Sequence, residues 1–232
     1  LCLPSLNPLD KRMFDFHDTT QTARISEFTL SLRHGQIPPR LAPELSFGLG
    51  FPLFNFYAPF AYWVSSFFHL LGMSSVGALK LSFFTAFVLS FFTMYYFLRK
   101  IFNHLAILTG ASLYITSTYL ATEIVIRGNL AETWFIALLP LALAVLIENS
   151  QKPSRRVFIM TSLVLLCTFT VHNIFSLVAV GLTLIFALLL PGKKRNSAAI
   201  FLALLMGTSF FLPAFTETVF THIKKVNRYY YY

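Results

Sequence analysis

Between Val76 and Pro213 one pattern repeats: long apolar runs alternate with short basic clusters. The runs are Val76 to Leu98, Leu105 to Thr122, Leu130 to Ile147, Val157 to Val171, Ile174 to Leu190 and Ala198 to Pro213. Runs of that length and apolarity read as membrane spans, so the expected fold is all-α, a polytopic transmembrane bundle with six helices over residues 76–214. The fourth run has 15 residues before His172, about 22 Å as a helix, against a hydrocarbon core of roughly 30 Å. Lys80, near the start of the first run, is expected to snorkel toward the interface. Composition agrees with this class. The chain is 56% hydrophobic and 17% aromatic, with 27 Phe. Only 12% is charged, against roughly 25% in soluble domains. A net charge of +9 would suit nucleic acid, but the basic residues sit in short loops between apolar runs, which is the pattern of membrane topology.

The run from Phe60 to Leu71 has 12 residues and would span about 18 Å. It reads as a juxtamembrane or re-entrant helix. With that helix not crossing, three basic loops share one side: Arg99-Lys100, then Lys152 with Arg155 and Arg156, then Lys193-Lys194-Arg195. The positive-inside regularity makes that side cytoplasmic. Residues 1–75 then form a long first extracytoplasmic loop carrying juxtamembrane helices. The other outward segments are Glu123 to Glu132, His172-Asn173 and the chain from Pro213, with residues 215–232 opening a further segment. The start at Leu1 without Met and the end in four tyrosines read as a fragment of a longer polytopic chain. Cys2 and Cys167 are far apart, with Cys167 inside an apolar run, so no disulfide framework is expected.

Within the first loop, Asp15 to Glu27 is the densest run of ionisable side chains. Asp18-Thr19-Thr20-Gln21 reads as a helix start, Asp18 capping and Gln21 closing a capping box. The helix is expected over Thr19 to about His34. It carries Ile25, Phe28 and Leu32 on one face and Arg24, Glu27 and Ser31 on another, and Gly35 stops it. It is too polar to cross a bilayer and is expected along the membrane surface. Arg40 to Pro59 is irregular and rich in Phe and Tyr, as interfacial segments are.

This topology gathers His17, Asp18, Arg24, Glu123, Arg127, Glu132, His172, Asn173 and Glu217 on the outer face. Ionisable groups at membrane depth are costly and point to function. Four of them also have a plain alternative. Asp18 is a cap or a reactive carboxylate, Glu123 and Arg127 are a helical i,i+4 pair or part of a site, and His172 is a turn residue or a ligand.

Several runs together resemble the bacterial integral-membrane family labelled "6-pyruvoyl-tetrahydropterin synthase-related". They are His17-Asp18 with Arg24, Gly35-Gln36-Ile37-Pro38-Pro39-Arg40, Gly48 to Pro59, Arg127 to Glu132, Val171-His172-Asn173 and Phe211 to Glu217. Leu41 and Thr22 depart from that pattern, standing where relatives often have Trp and His. The family in turn resembles the C-type (GT-C) membrane glycosyltransferases, a likeness of arrangement alone. It implies transfer of a sugar from a polyprenyl-phosphate donor to a glycan or protein acceptor at the outer face of a bacterial plasma membrane.

In that reading Asp18 is the base that takes the acceptor's proton, and His17 hydrogen-bonds it or the acceptor. Arg24 or Arg127 stabilises the leaving phosphate. Glu123, Glu132, His172 and Glu217 bind substrate. Carboxylates and imidazole also suit several divalent cations, so any metal is unassigned. The expected partners are the lipid-linked sugar and the bilayer, with no nucleic acid. A lipid or glycan transporter and a non-catalytic membrane scaffold are the competing classes. The chain has no phosphate loop ending in Lys-Ser/Thr, no zinc-type Cys pair and no Gly-x-Ser-x-Gly elbow.

Overall fold

The computed structural model describes residues 5–10 and 12–220, and among them the secondary structure is helical, with one isolated antiparallel bridge between Ala42 and Phe51. The helices are α1 (Gln21–Arg33), α2 (Phe60–Leu70), α3 (Ser75–Leu98), α4 (His104–Ile115), α5 (Thr118–Thr122), α6 (Leu130–Gln151), α7 (Arg155–Phe169), α8 (Asn173–Leu189), α9 (Lys193–Met206) and α10 (Thr208–Thr216). Residues 221–232, most of the expected C-terminal segment, lie outside the described residues, as do Cys2 and Lys11. Cys167 is a free thiol.

All six expected apolar runs are helical. Three helical stretches are long and apolar enough to cross a membrane: Ser75–Leu98, His104–Arg127 and Leu130–Gln151. A fourth exists if α9 and α10, bent by 61° at Gly207, are taken as one span. α7 and α8 have 15 and 17 residues, roughly 22 and 25 Å. The expected short run from Phe60 to Leu71 is α2, with 11 residues, roughly 16 Å.

The second span departs from expectation. It breaks at Thr116-Ser117, where Ser117 caps α5, and then continues through a π-helical turn over Glu123–Arg127. The expected outer loop from Glu123 to Glu132 therefore shrinks to Gly128 and Asn129, with Asn129 capping α6 through its side chain.

α3 and α6 form the centre of the bundle. Ala78, Ser82, Ala86 and Ser90 recur every fourth residue along α3 and all are fully buried. Small side chains on one stripe let helix backbones approach closely, which is how helices associate where the hydrophobic effect is weak. Ser82 on this stripe accepts a hydrogen bond from the buried indole of Trp134 on α6 at 3.0 Å. α7, α8 and α9 pack on the far flank of α6.

Lys80 does not snorkel. It is 2% exposed, and its ammonium donates to the carbonyls of Asp10 (2.9 Å) and Arg12 (2.6 Å). Those carbonyls replace water, and the contact pins the opening segment against α3.

Two expectations about α1 also change. Its N-cap is Thr20, with no side-chain cap. Both of its faces are covered: Ile25 and Phe28 are buried, and so are Glu27 and Ser31. The carboxylate of Glu27 accepts from the Glu44 amide at 2.9 Å, and Ser31 donates to the Leu41 carbonyl. The loop after α1 therefore folds back over what sequence periodicity marks as a solvent face. Gly35 does end the helix, with φ +81°, the left-handed geometry a C-terminal stop favours.

The three basic loops gather at one end. Lys100 pairs with Glu148 at 3.2 Å. Arg195 donates to Asn149 at 2.8 Å and also to the Ser154 carbonyl.

Candidate functional site

At the opposite end lie three polar clusters, two of which touch the short segment Asn55 to Ala58. The first is built on α1. Asp18 accepts from Thr20 (2.7 Å), Gln21 (2.8 Å) and Arg24 (3.0 Å). These side-chain donors occupy the carboxylate, which explains why it does not cap the helix backbone. Arg24 lies over the Tyr57 ring, 4.4 Å from its centroid, and donates to the Tyr57 hydroxyl at 3.3 Å. Gln21 is buried and accepts from the Tyr62 hydroxyl at 3.1 Å. Burial pushes the Tyr62 phenol up to about 12, so it is a neutral donor at physiological pH. Asp18 keeps 29% of its side-chain surface exposed.

The second cluster is built on the π turn and the start of α6. Arg127 reaches Glu123 at 2.7 Å and Glu132 at 3.1 Å through the same nitrogen. Asn129 adds a 2.7 Å bond to Glu132. Both carboxylates are buried, and Glu123 Oε2 and Glu132 Oε1 have no hydrogen-bond partner. Two buried carboxylates thus share one half-exposed guanidinium. The opening segment docks on this turn: the His17 amide donates to Ile126 O (2.8 Å) and the Asp18 amide to Arg127 O (3.0 Å). The Phe16 ring lies against Gly128, whose φ is +63°. The backbone therefore brings Asp18 and the Glu123–Arg127–Glu132 cluster together.

The third cluster joins distant parts of the chain. Asn55 donates to Glu217 at 2.5 Å and accepts from Arg40 at 3.3 Å. Arg40 also donates to the Ser209 carbonyl at 3.1 Å. Beside it, Asn173 accepts from the Ala58 amide at 2.8 Å and donates to the Phe56 carbonyl at 2.5 Å.

His172 caps α8. Its Nδ1 accepts from the amides of Ile174 (3.1 Å) and Phe175 (3.2 Å), which is the turn reading. Burial and the charge of Arg127 push its pKa down, and the cap needs the neutral ring. Because the folded value is depressed, the cap's contribution is complete above the unfolded pKa of roughly 6.5. It is lost as pH falls through the folded value. His172→Asn keeps a capping acceptor without a titrating ring. Protection of the Ile174 and Phe175 amides, taken relative to the intrinsic exchange rate at each pH, should therefore fall on acidification in the wild type and stay flat in the variant.

The sequence-predicted residues fall as follows. Asp18 and Arg24 meet directly, as do Arg127, Glu123 and Glu132. Glu217 joins Asn55. The His17 side chain is exposed and makes no hydrogen bond to Asp18. Among the described residues no group of three or more His, Cys, Asp or Glu is placed to hold a metal ion. Sequence reasoning missed Gln21, Arg40, Asn55 and Tyr57 as functional candidates. Arg40, Asn55 and Tyr57 were marked in the sequence only by membership of the Pro-Pro-Arg and aromatic runs, and Gln21 only as a residue of the capping box.

Spans long enough for a bilayer, with a polar constellation at one end and basic loops at the other, define a polytopic integral-membrane protein. The chain matches the family described as 6-pyruvoyl-tetrahydropterin synthase related domain, a membrane protein, over residues 54–225, and it belongs to that family. No curated protein and no solved structure matches it.

Proposed function

We propose that this protein is a membrane glycosyltransferase. It would move a sugar from a polyprenyl-phosphate donor to an acceptor hydroxyl at the extracytoplasmic face. The observation that supports the reading best is the placement of Asp18, a part-exposed carboxylate fixed by Gln21 and Arg24 beside the Tyr57 ring. In an inverting transfer Asp18 takes the proton from the acceptor hydroxyl as its oxygen bonds to the anomeric carbon. The bond from that carbon to the phosphate oxygen breaks, and the phosphate leaves with the electron pair. The fixed guanidinium of Arg24 orients the carboxylate, and Tyr57 offers an aromatic face to a sugar ring. The basic end of the bundle would face the cytoplasm by the positive-inside regularity, which puts Asp18 on the outer side.

The test is turnover of labelled polyprenyl-phosphate sugars by the protein in proteoliposomes. Asp18→Asn keeps the size and one acceptor but cannot take a proton, so transfer should fall by about 10²-fold or more with donor binding retained. Equal turnover in both proteins would remove Asp18 from the chemistry. A transporter is the second reading, favoured by the 61° break between α9 and α10, since interrupted helices commonly line transport sites. Lipid movement without any transfer, unchanged in Asp18→Asn, would select it.

A further inference from the structure

Arg40 differs from the other two guanidiniums of the site. Arg24 and Arg127 are neutralised by carboxylates. Arg40 is in none of the ion pairs among the described residues, and its two terminal nitrogens meet only the neutral oxygens of Asn55 and Ser209. The nearby acid, Glu217, is held on the other end of the Asn55 amide.

Arg40 lies in the wall of a cavity of about 230 Å³ that is half open and mostly apolar. Its lining includes Trp63 of α2, Leu166 of α7, and Met206 and Phe210 on either side of the α9–α10 break, where the chain turns by 61°. Met206 and the neighbouring Leu163 and Leu205 are exposed on the bundle's flank, so the apolar wall continues toward lipid.

We infer that this cavity binds the phosphate end of a membrane lipid, with the phosphate on Arg40 and the hydrocarbon chain along Trp63, Leu166 and Met206. An arginine fork is suited to phosphate oxygens, and charged acceptors bind it more strongly than neutral ones. A phosphate would therefore displace Ser209 O and Asn55 Oδ1 readily. Apolar walls reaching the lipid-facing flank fit a chain and give a free phosphate ion nothing further. The inference rests on the glycosyltransferase reading for the lipid's role as sugar carrier, while the site is tested by binding alone.

The full protein in phosphatidylcholine nanodiscs would be titrated with a radiolabelled polyprenyl monophosphate, against the matching polyprenol and inorganic phosphate as competitors. Arg40→Gln should weaken binding about tenfold or more and Arg40→Lys should recover part of it, with thermal midpoints near wild type. Should Arg40→Gln misfold, Leu166→Trp, which fills the cavity without touching the charge, should weaken binding similarly. Polyprenol should compete poorly with wild type, and inorganic phosphate should not compete at millimolar concentration.

Unchanged binding in Arg40→Gln or Leu166→Trp, or equal competition by polyprenol, overturns the inference. Effective competition by inorganic phosphate overturns the lipid as the source. Failure of sugar transfer with this binding pattern intact would sink the glycosyltransferase reading and leave the lipid site standing.

Discussion

Gly128→Ala should destabilise the protein by about 3 kcal/mol and detach the opening segment from the π turn. Two effects combine. An alanine at φ +63° adopts the left-handed region at a cost of roughly 1–2 kcal/mol. Its Cβ would also stand 1.9 Å from Phe16 Cδ2, so the ring must leave. Phe16 is 7% exposed, and re-exposing a phenylalanine costs about 1.5–3 kcal/mol. The amides of His17 and Asp18 lose their carbonyl partners along with the ring. Thermal unfolding in detergent gives the first effect, and faster amide exchange at His17 and Asp18 gives the second. In a Phe16→Ala background the same glycine substitution should cost only the backbone part, about 1 kcal/mol. Simple additivity of the two substitutions would show that the contact carries no coupling.

Arg127→Ala should be the other large change. It leaves Glu123 and Glu132 buried with no cation. Removing one partner of a buried ion pair costs about 3–5 kcal/mol. The guanidinium here is half exposed, so the lower end, about 3 kcal/mol, is expected. The diagnostic is rescue. Glu123→Gln added to Arg127→Ala should restore much of the loss, because it removes one of two like charges that no longer share a counter-ion. A double variant no more stable than Arg127→Ala alone would mean that the arginine acts through packing of its stem and not through charge.

Much of the architecture was legible in the sequence because hydropathy and length are local properties. The short helix at 60–70, the spans beginning at 75 and 130 and the stop at Gly35 all follow from them. The Glu123–Arg127 pair was legible from its spacing on one turn. The bonds that make the site were not. Lys80 reads as an interfacial lysine because its acceptors, the carbonyls of Asp10 and Arg12, lie about seventy positions away and belong to the backbone. Asp18 reads as a cap because the competing donor, Arg24, depends on α1 having started two residues later. Arg40 reads as one more basic residue, since only the fold shows which guanidiniums have a carboxylate. A helix face marked polar by periodicity became buried once the loop after it closed over Glu27 and Ser31.

The burial of Lys80 also bears on how firmly Asp18 is placed. An ammonium is costly in hydrocarbon unless oxygen ligands accompany it, and here they come from a stretch synthesised before the helix. The buried position of Lys80 on α3 therefore requires the carbonyls of Asp10 and Arg12 to lie against that helix. The same opening segment is held a second time by the π turn, through the amides of His17 and Asp18. Asp18 thus sits on a segment tied at two points, to α3 by the Lys80 ammonium and to the π turn by backbone hydrogen bonds.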